Sequence, residues 1–308
     1  MDFAVMYHYV RPRSGWNGIF PLLPEEFEKQ IELISKTHNI VHIDELNKKS
    51  VKPRCVLTFD DGTRDQYVYA YDILKRKGIP AYFTVMSGPM LTGIIPIFHL
   101  VHVILSFKTD EEVWELLSSR YDVSNVEEES SIYHYETNRL RRFNKYVLNF
   151  MLSQSESREV LESIFKTIFP DSLSFINNFY LNIADLKEMS QSGMAIGVHC
   201  HHHAPYDGNP HEFYKNEIMP CKVFLKETLG INSQWYTPAF GGGNMRERMR
   251  NELTPILLEN GFKRGFTVNP GLMNGNDEFW INRIDCVQLP PNRSSSINTV
   301  IEQYTTNV

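Results

Sequence analysis

The chain has 308 residues, of which 42% are hydrophobic and 22% charged, and its formal net charge is −6. That length buries a substantial core and suits one large domain or two small ones. The mild acidic balance, with no basic block, argues against a nucleic-acid partner and against an anionic membrane surface.

At the amino terminus Met1-Asp2 runs straight into Phe3-Ala4-Val5-Met6-Tyr7. The basic region, apolar stretch and small-residue cleavage site of a secretory leader are not discernible. No run of about 20 apolar residues is present, so no membrane span is expected. The most apolar stretch, 93–107, is short and carries His99 and His102. A cytoplasmic location is the expectation. Cys55, Cys200, Cys221 and Cys286 contain no C-x-x-C pair, and reduced thiols are expected.

Residues 3–7 are a short run of strand formers. The spacing of Phe27, Ile31 and Ile34 predicts a helix over 24–37, followed by a strand over 39–43. A compact strand over 54–59 ends in Asp60-Asp61-Gly62, which puts polar side chains at a strand's carboxyl end. A helix over 66–77 stops at Gly78 with Pro80 beyond it, and a strand over 81–85 follows. Strand, helix and strand in that order argue for parallel βα units.

From about 88 to 180 the rhythm breaks. Helices predicted over 95–106, 111–119, 136–153 and 156–168 read as a helical insertion within a single domain spanning 1–308. Phe98, His99, His102 and Phe107 read as the buried face of an amphipathic helix, with the lining of a substrate groove as the alternative. Tyr133-His134-Tyr135, beside Glu127-Glu128-Glu129, reads as a solvated loop. The alternation then returns, with helices over 183–192, 211–229 and 249–260 and strands at 195–198, 235–236, 265–268 and 280–284. The count of βα units predicts a closed or nearly closed barrel, in which reactive residues sit at the carboxyl ends of the strands.

Two motifs carry chemistry. In Leu57-Thr58-Phe59-Asp60-Asp61-Gly62, adjacent carboxylates after a strand point in different directions, so one can bind a metal while the other accepts a proton. An Asp-Asp-Gly turn is also common in ordinary loops. His199-Cys200-His201-His202-His203 packs four imidazoles into five residues, and neutral imidazole suits zinc. One helical turn would bring His199 and His203 to one side, but spacing alone leaves open which of the four bind. One carboxylate and two imidazoles make the three-ligand set of a catalytic metal with an open position. The other Asp can then take a proton. Cys200 reads as a small filler rather than a nucleophile. Gly241-Gly242-Gly243 allows close backbone approach without forming a phosphate-binding fingerprint.

At these residues the chain resembles the polysaccharide deacetylase family, the NodB-like carbohydrate esterases. Residues 57–85 resemble its first long motif, from Thr-Phe-Asp-Asp-Gly to Lys77-Gly78-Ile79-Pro80-Ala81-Tyr82-Phe83. Gly197 to His203 resembles its His-Ser/Thr-x-x-His motif, with Cys200 where Ser or Thr is usual. Trp235-Tyr236-Thr237-Pro238-Ala239-Phe240-Gly241 resembles its third motif. Met6-Tyr7-His8-Tyr9-Val10 resembles the N-terminal segment of one subgroup. The likeness covers about 3–86 and 180–285 and leaves out the insertion.

The resemblance implies a distorted, incomplete TIM-like barrel of about seven parallel strands. It also implies a divalent metal, zinc above all, held by Asp61, His199 and His203. Asp60 would be the general base, and the backbone N–H of Phe240 would help form an oxyanion hole. The family's base-steadying Arg is missing, because Thr237 stands in its place; Arg283, on a late strand, is the substitute this reading offers. The C-terminal Leu-x-His motif is also missing, and His8 becomes the expected acid. The implied activity is metal-dependent de-N-acetylation of an N-acetylated sugar, an intermediate of capsule, lipopolysaccharide or other surface glycan assembly. The alternatives are a metal-dependent amidase for a non-sugar substrate and a catalytically silent glycan-binding relative, which Thr237 favours.

Overall fold

Among the described residues, nine strands make up the sheet in the computed structural model: β1 (Phe3–Tyr7), β2 (Asn39–Ile40), β3 (Arg54–Phe59), β4 (Tyr82–Met86), β5 (Ala195–Cys200), β6 (Trp235–Tyr236), β7 (Arg264–Phe266), β8 (Trp280–Ile281) and β9 (Ile284–Asp285). The structure describes residues 1–46, 48, 50–134, 136–273 and 279–305, so Tyr135 lies outside it. All the strand pairings are parallel. The order is β8-β7-β6-β5-β4-β3-β1-β9, with β2 beside β3.

Eight strands therefore lie along the path, against about seven expected. The difference arises at the chain's last strand. Residues 280–284 read as one strand, but the segment divides. Its first half pairs with β7 and its second half with β1, through Val5↔Ile284. The two edges of the sheet are thus neighbouring pieces of chain, joined by Asn282-Arg283. This is the distorted, incomplete (β/α) barrel expected.

β1 and β4 are buried at every residue. Strands of a parallel sheet are covered on both faces, so they read as apolar runs rather than alternating ones. Phe59 stacks on Tyr7 at 4.9 Å and on Phe83 at 4.5 Å. Each such pair contributes about 0.5–1.5 kcal/mol beyond area burial. The same three residues are register partners, Tyr7↔Phe59 and Phe59↔Phe83. That stack keeps the carboxyl ends of β1 and β3 level, and the residues that follow them become neighbours.

The helix Pro24–Thr37 buries Phe27, Gln30, Ile31 and Ile34, the i, i+3, i+4, i+7 face of a surface helix. The helix expected over 66–77 begins instead as a π-helical turn, Gln66–Tyr71, before the α-helical Asp72–Lys77. A second π-helical turn, Tyr214–Ile218, interrupts the helix expected over 211–229.

The described residues form two compact units. The first comprises Met1–Pro12, Pro21–Ile94 and Ile176–Val308, and the second Arg13–Phe20 and Ile95–Phe175. The second unit is helical: Ile97–Phe107, Asp110–Arg120, Arg139–Tyr146 and Gln154–Ile168. Capping boxes Thr109/Glu112 and Ser153/Glu156 start two of them, each satisfying two otherwise unpaired backbone groups. Where a solvated loop was expected, Val126–Glu129 and Ser130–Tyr133 form short helical turns. His99 is buried as expected, but Phe107 stays 44% exposed. A buried ion pair, Lys145–Glu136, lies within this unit. All four cysteines are buried and unbridged. No helix among the described residues is long and apolar enough to cross a membrane.

Candidate active site

Asp60 follows β3 directly, and its N–H donates to Tyr7 O at 3.0 Å. Its carboxylate meets Arg283 in a bidentate pair, Nη1 to Oδ1 at 2.8 Å and Nη2 to Oδ2 at 2.7 Å. Arg283 is itself fixed, donating Nε–H to Thr267 O at 2.8 Å and Nη1–H to Thr58 Oγ1 at 3.0 Å. Both partners are buried. Burial alone would raise the Asp60 pKa, but the charge and hydrogen bonds of Arg283, aided by His199 and His8, outweigh it and hold the carboxyl below its ordinary value. The charge missing at Thr237 is therefore delivered from the junction between β8 and β9.

His8 follows β1 as Asp60 follows β3. Its Nε2 lies 3.9 Å from Asp60 Oδ2, with the imidazole 44% exposed. Gln66, fully buried on the first residue of its π-helical turn, donates from one amide nitrogen to both His8 O and Asp60 O.

Asp61 turns away from Asp60. Its φ is +74 and that of Gly62 is +66. The turn is held by Leu181 N–H donating to Gly62 O at 2.9 Å. His199 lies on β5 and its Nδ1 donates to Thr237 O at 2.8 Å. That bond fixes the tautomer and leaves Nε2 with its lone pair. Nε2 of His199 is 3.2 Å from Asp61 Oδ1, and Nε2 of His203 is 3.6 Å from the same oxygen. The imidazoles converge without the helical turn their spacing pointed to. β5 ends at Cys200, and the chain reaches His203 through a bend with φ +62 there.

Among the described residues, Asp61, His199 and His203 are the group able to hold a metal, with ligand atoms all within 4.8 Å of one another. Ligand bonds of about 2.0–2.1 Å around a tetrahedral zinc put neighbouring donors about 3.4 Å apart. The 3.2 and 3.6 Å separations fit that spacing. His203 fits in protonation too: burial, then His199, push its pKa down to about 3, so it is a neutral donor. His199 moves the other way. Burial opposes its charge, but the Asp61 carboxylate beside it and the charge of Asp60 raise its pKa, as a site built for a cation does. His201 and His202 point elsewhere, to Ser87 Oγ at 2.8 Å and Glu217 Oε1 at 3.4 Å.

Among the described residues, the non-glycine residues with left-handed backbones are Asp61, His203 and Phe240. Each such conformation costs on the order of 1–3 kcal/mol and persists where its surroundings over-determine it. The Phe240 ring stands edge-on to His203, centroids 4.3 Å apart. Next to it Gly241, φ +59, lies so close to Val268 that a Cβ would come within 2.2 Å of Cγ2. Only glycine fits there. All six expected site residues thus lie at the carboxyl-end rim of the sheet. Cys200 is buried beside them, and burial raises its thiol pKa well above normal, which suits the filler role.

Sequence reading missed Gln66 and Glu217. Both sit on π-helical turns, where side chains leave the 3.6-residue periodicity that marks buried positions.

A family profile described as polysaccharide deacetylase matches residues 47–94 and 160–257. No curated protein matches the chain. Among solved structures, the Streptococcus pyogenes deacetylase PplD in complex with acetate superposes with a TM-score of 0.59 at 18% identity, over 98% of this chain and 97% of that one. IcaB from Ammonifex degensii gives 0.57 at 17%, over 92% and 90%. A de-N-acetylase from Aggregatibacter actinomycetemcomitans gives 0.51 at 17%, over 97% and 98%. At these identities the likeness is one of fold.

Proposed function

We propose, from the polysaccharide deacetylase profile that matches residues 47–94 and 160–257, that the chain hydrolyses the acetamide of an N-acetylated sugar, releasing acetate and the amine, with a divalent cation held by Asp61, His199 and His203. One observation carries the reading: a carboxylate gripped by Arg283, that of Asp60, stands beside a three-donor set and 3.9 Å from an imidazole. The donor set suits zinc by its nitrogen and oxygen ligands. When bound, the cation supplies Lewis-acid polarisation and acidifies water.

The protein's own groups do the rest. Asp60, kept ionised by Arg283, accepts the proton of the attacking water. The N–H of Phe240 faces the charge that develops on the carbonyl oxygen. His8 returns a proton to the leaving nitrogen, and its partial exposure lets it exchange that proton with solvent. The arrangement also weakens the silent-relative reading. Thr237 was the point in its favour, and Arg283 supplies the charge expected there.

In its finest form the proposal names a cytoplasmic, carrier-linked precursor of capsule, lipopolysaccharide or another surface glycan as substrate. Mass spectrometry of N-acetylated sugars, free and nucleotide- or lipid-linked, tests it. Loss of one acetyl group, stopped by a chelator and restored by zinc, is the expected result. Deacetylation that continues unchanged in chelator would overturn the metal assignment, and the absence of deacetylation on every such sugar would overturn the substrate class.

A further inference from the structure

Glu217 is buried at 4% exposure on the π-helical turn Tyr214–Ile218. Its Oε2 accepts the N–H of His202 at 2.9 Å and the N–H of Ala204 at 3.3 Å. Those two amides flank His203, the residue whose φ is +62. One carboxylate oxygen thus ties the N–H of the residue before the left-handed one to the N–H of the residue after it. Its other oxygen faces His202 Nδ1 at 3.4 Å. From the opposite side the bend is held by β4's end: Ser87 N–H donates to Cys200 O at 3.1 Å and Gly88 N–H to His201 O at 2.8 Å. A Cβ on Gly88 would lie 2.3 Å from that carbonyl. These clamps hold residues 200 and 201, whereas Glu217 holds the amides of the residues before and after His203.

We infer that Glu217 is a positioning residue for the metal centre: it holds the strained bend that aims the His203 imidazole at Asp61. The inference rests on the metal-site reading above. A hydrogen-bonded carboxylate is needed here for two physical reasons. A left-handed histidine is unfavourable by itself, and charge-assisted bonds to backbone N–H are about twice as strong as neutral ones. Groups behind metal ligands commonly govern affinity by about 10–100-fold. A residue that served only the packing of its helix would not act on affinity.

Calorimetric titration of the metal-free protein with zinc tests this, using wild type, Asp61→Ala, Glu217→Ala, Glu217→Asp and Glu217→Gln. Glu217→Ala is expected to raise the zinc dissociation constant about 10–100-fold. Glu217→Gln keeps an acceptor oxygen in place but loses its charge, so it should bind zinc between the alanine variant and wild type. Glu217→Asp keeps the charge but shortens the reach, so it should bind weakly, and it carries the test if the alanine variant folds poorly. If wild type and Asp61→Ala bind zinc alike, the metal-site reading fails. If Asp61→Ala loses zinc while Glu217→Ala and Glu217→Asp bind as wild type does, the metal site stands and the role of Glu217 is overturned.

Discussion

Each unit of this protein buries an ion pair, and the two pairs do different work. In the sheet unit, Arg283 grips Asp60 through two parallel hydrogen bonds, and within reach of that carboxylate lie His8 and His199. In the helical unit, Lys145 meets Glu136, and the rings of Phe20 and Tyr133 lie 5.9 and 5.8 Å from the lysine's ammonium. The first pair sets the protonation of a group that has further partners to serve. The second neutralises charge among hydrocarbon and aromatic surface. Burial of a charge pair is therefore no sign of function by itself; what surrounds the pair decides.

The largest effect that could break this contrast is at Asp60. Asp60→Asn removes a proton acceptor while keeping the shape, and kcat for acetate release should fall about 10²–10⁴-fold. A smaller loss would place the base elsewhere. Arg283→Met comes next. It leaves a buried carboxylate unpaired and should cost about 3–5 kcal/mol in denaturant unfolding.

The same substitution has a signature in pH. Asp60 has a lowered pKa in the folded protein, so its pairing stabilises above the unfolded-chain value and that stability is lost as pH falls through the folded one. In Arg283→Met the pKa rises, so the acid limb of the kcat profile should move to higher pH. An unmoved acid limb would separate Arg283 from the base.

His8→Ala should lower kcat by about a hundredfold, at the low end of acid–base contributions, with zinc affinity unchanged. If kcat stays near wild type, the acid is another group. The smallest effect is expected from replacing both members of the other pair, Lys145→Met with Glu136→Leu. Stability should shift by about 1 kcal/mol or improve, since an apolar pair of similar volume often replaces a buried ion pair without loss. The pH profile of kcat should stay in place. A moved profile would give the second pair a share in the chemistry.

Much of this was legible in the sequence, for identifiable reasons. The helix over 24–37 and the strand over 54–59 coincide with the structure because apolar spacing and local propensity agree there. Asp60, Asp61, His199 and His203 could be read because two dense motifs sit at strand ends. The bend at His203 could not, since a left-handed backbone on a non-glycine residue leaves no compositional mark. Gln66 and Glu217 were hidden by the π-helical turns that carry them. The split of 280–284 into two edges was hidden as well: each half is two residues long, too short for any periodicity, and its pairing is decided by strands far away in the chain.

Arg283 and Asp60 stand 223 positions apart in the chain. During synthesis both acids and every imidazole of the site emerge well before residue 283 does. An amino-terminal fragment can hold all three cation donors and still lack the partner that keeps its proton acceptor charged. The final inch of sheet, laid down when Asn282-Arg283 joins one edge strand to the other, brings the guanidinium to Asp60 in the same movement, so the proposed base gains its partner only once residue 283 has been made.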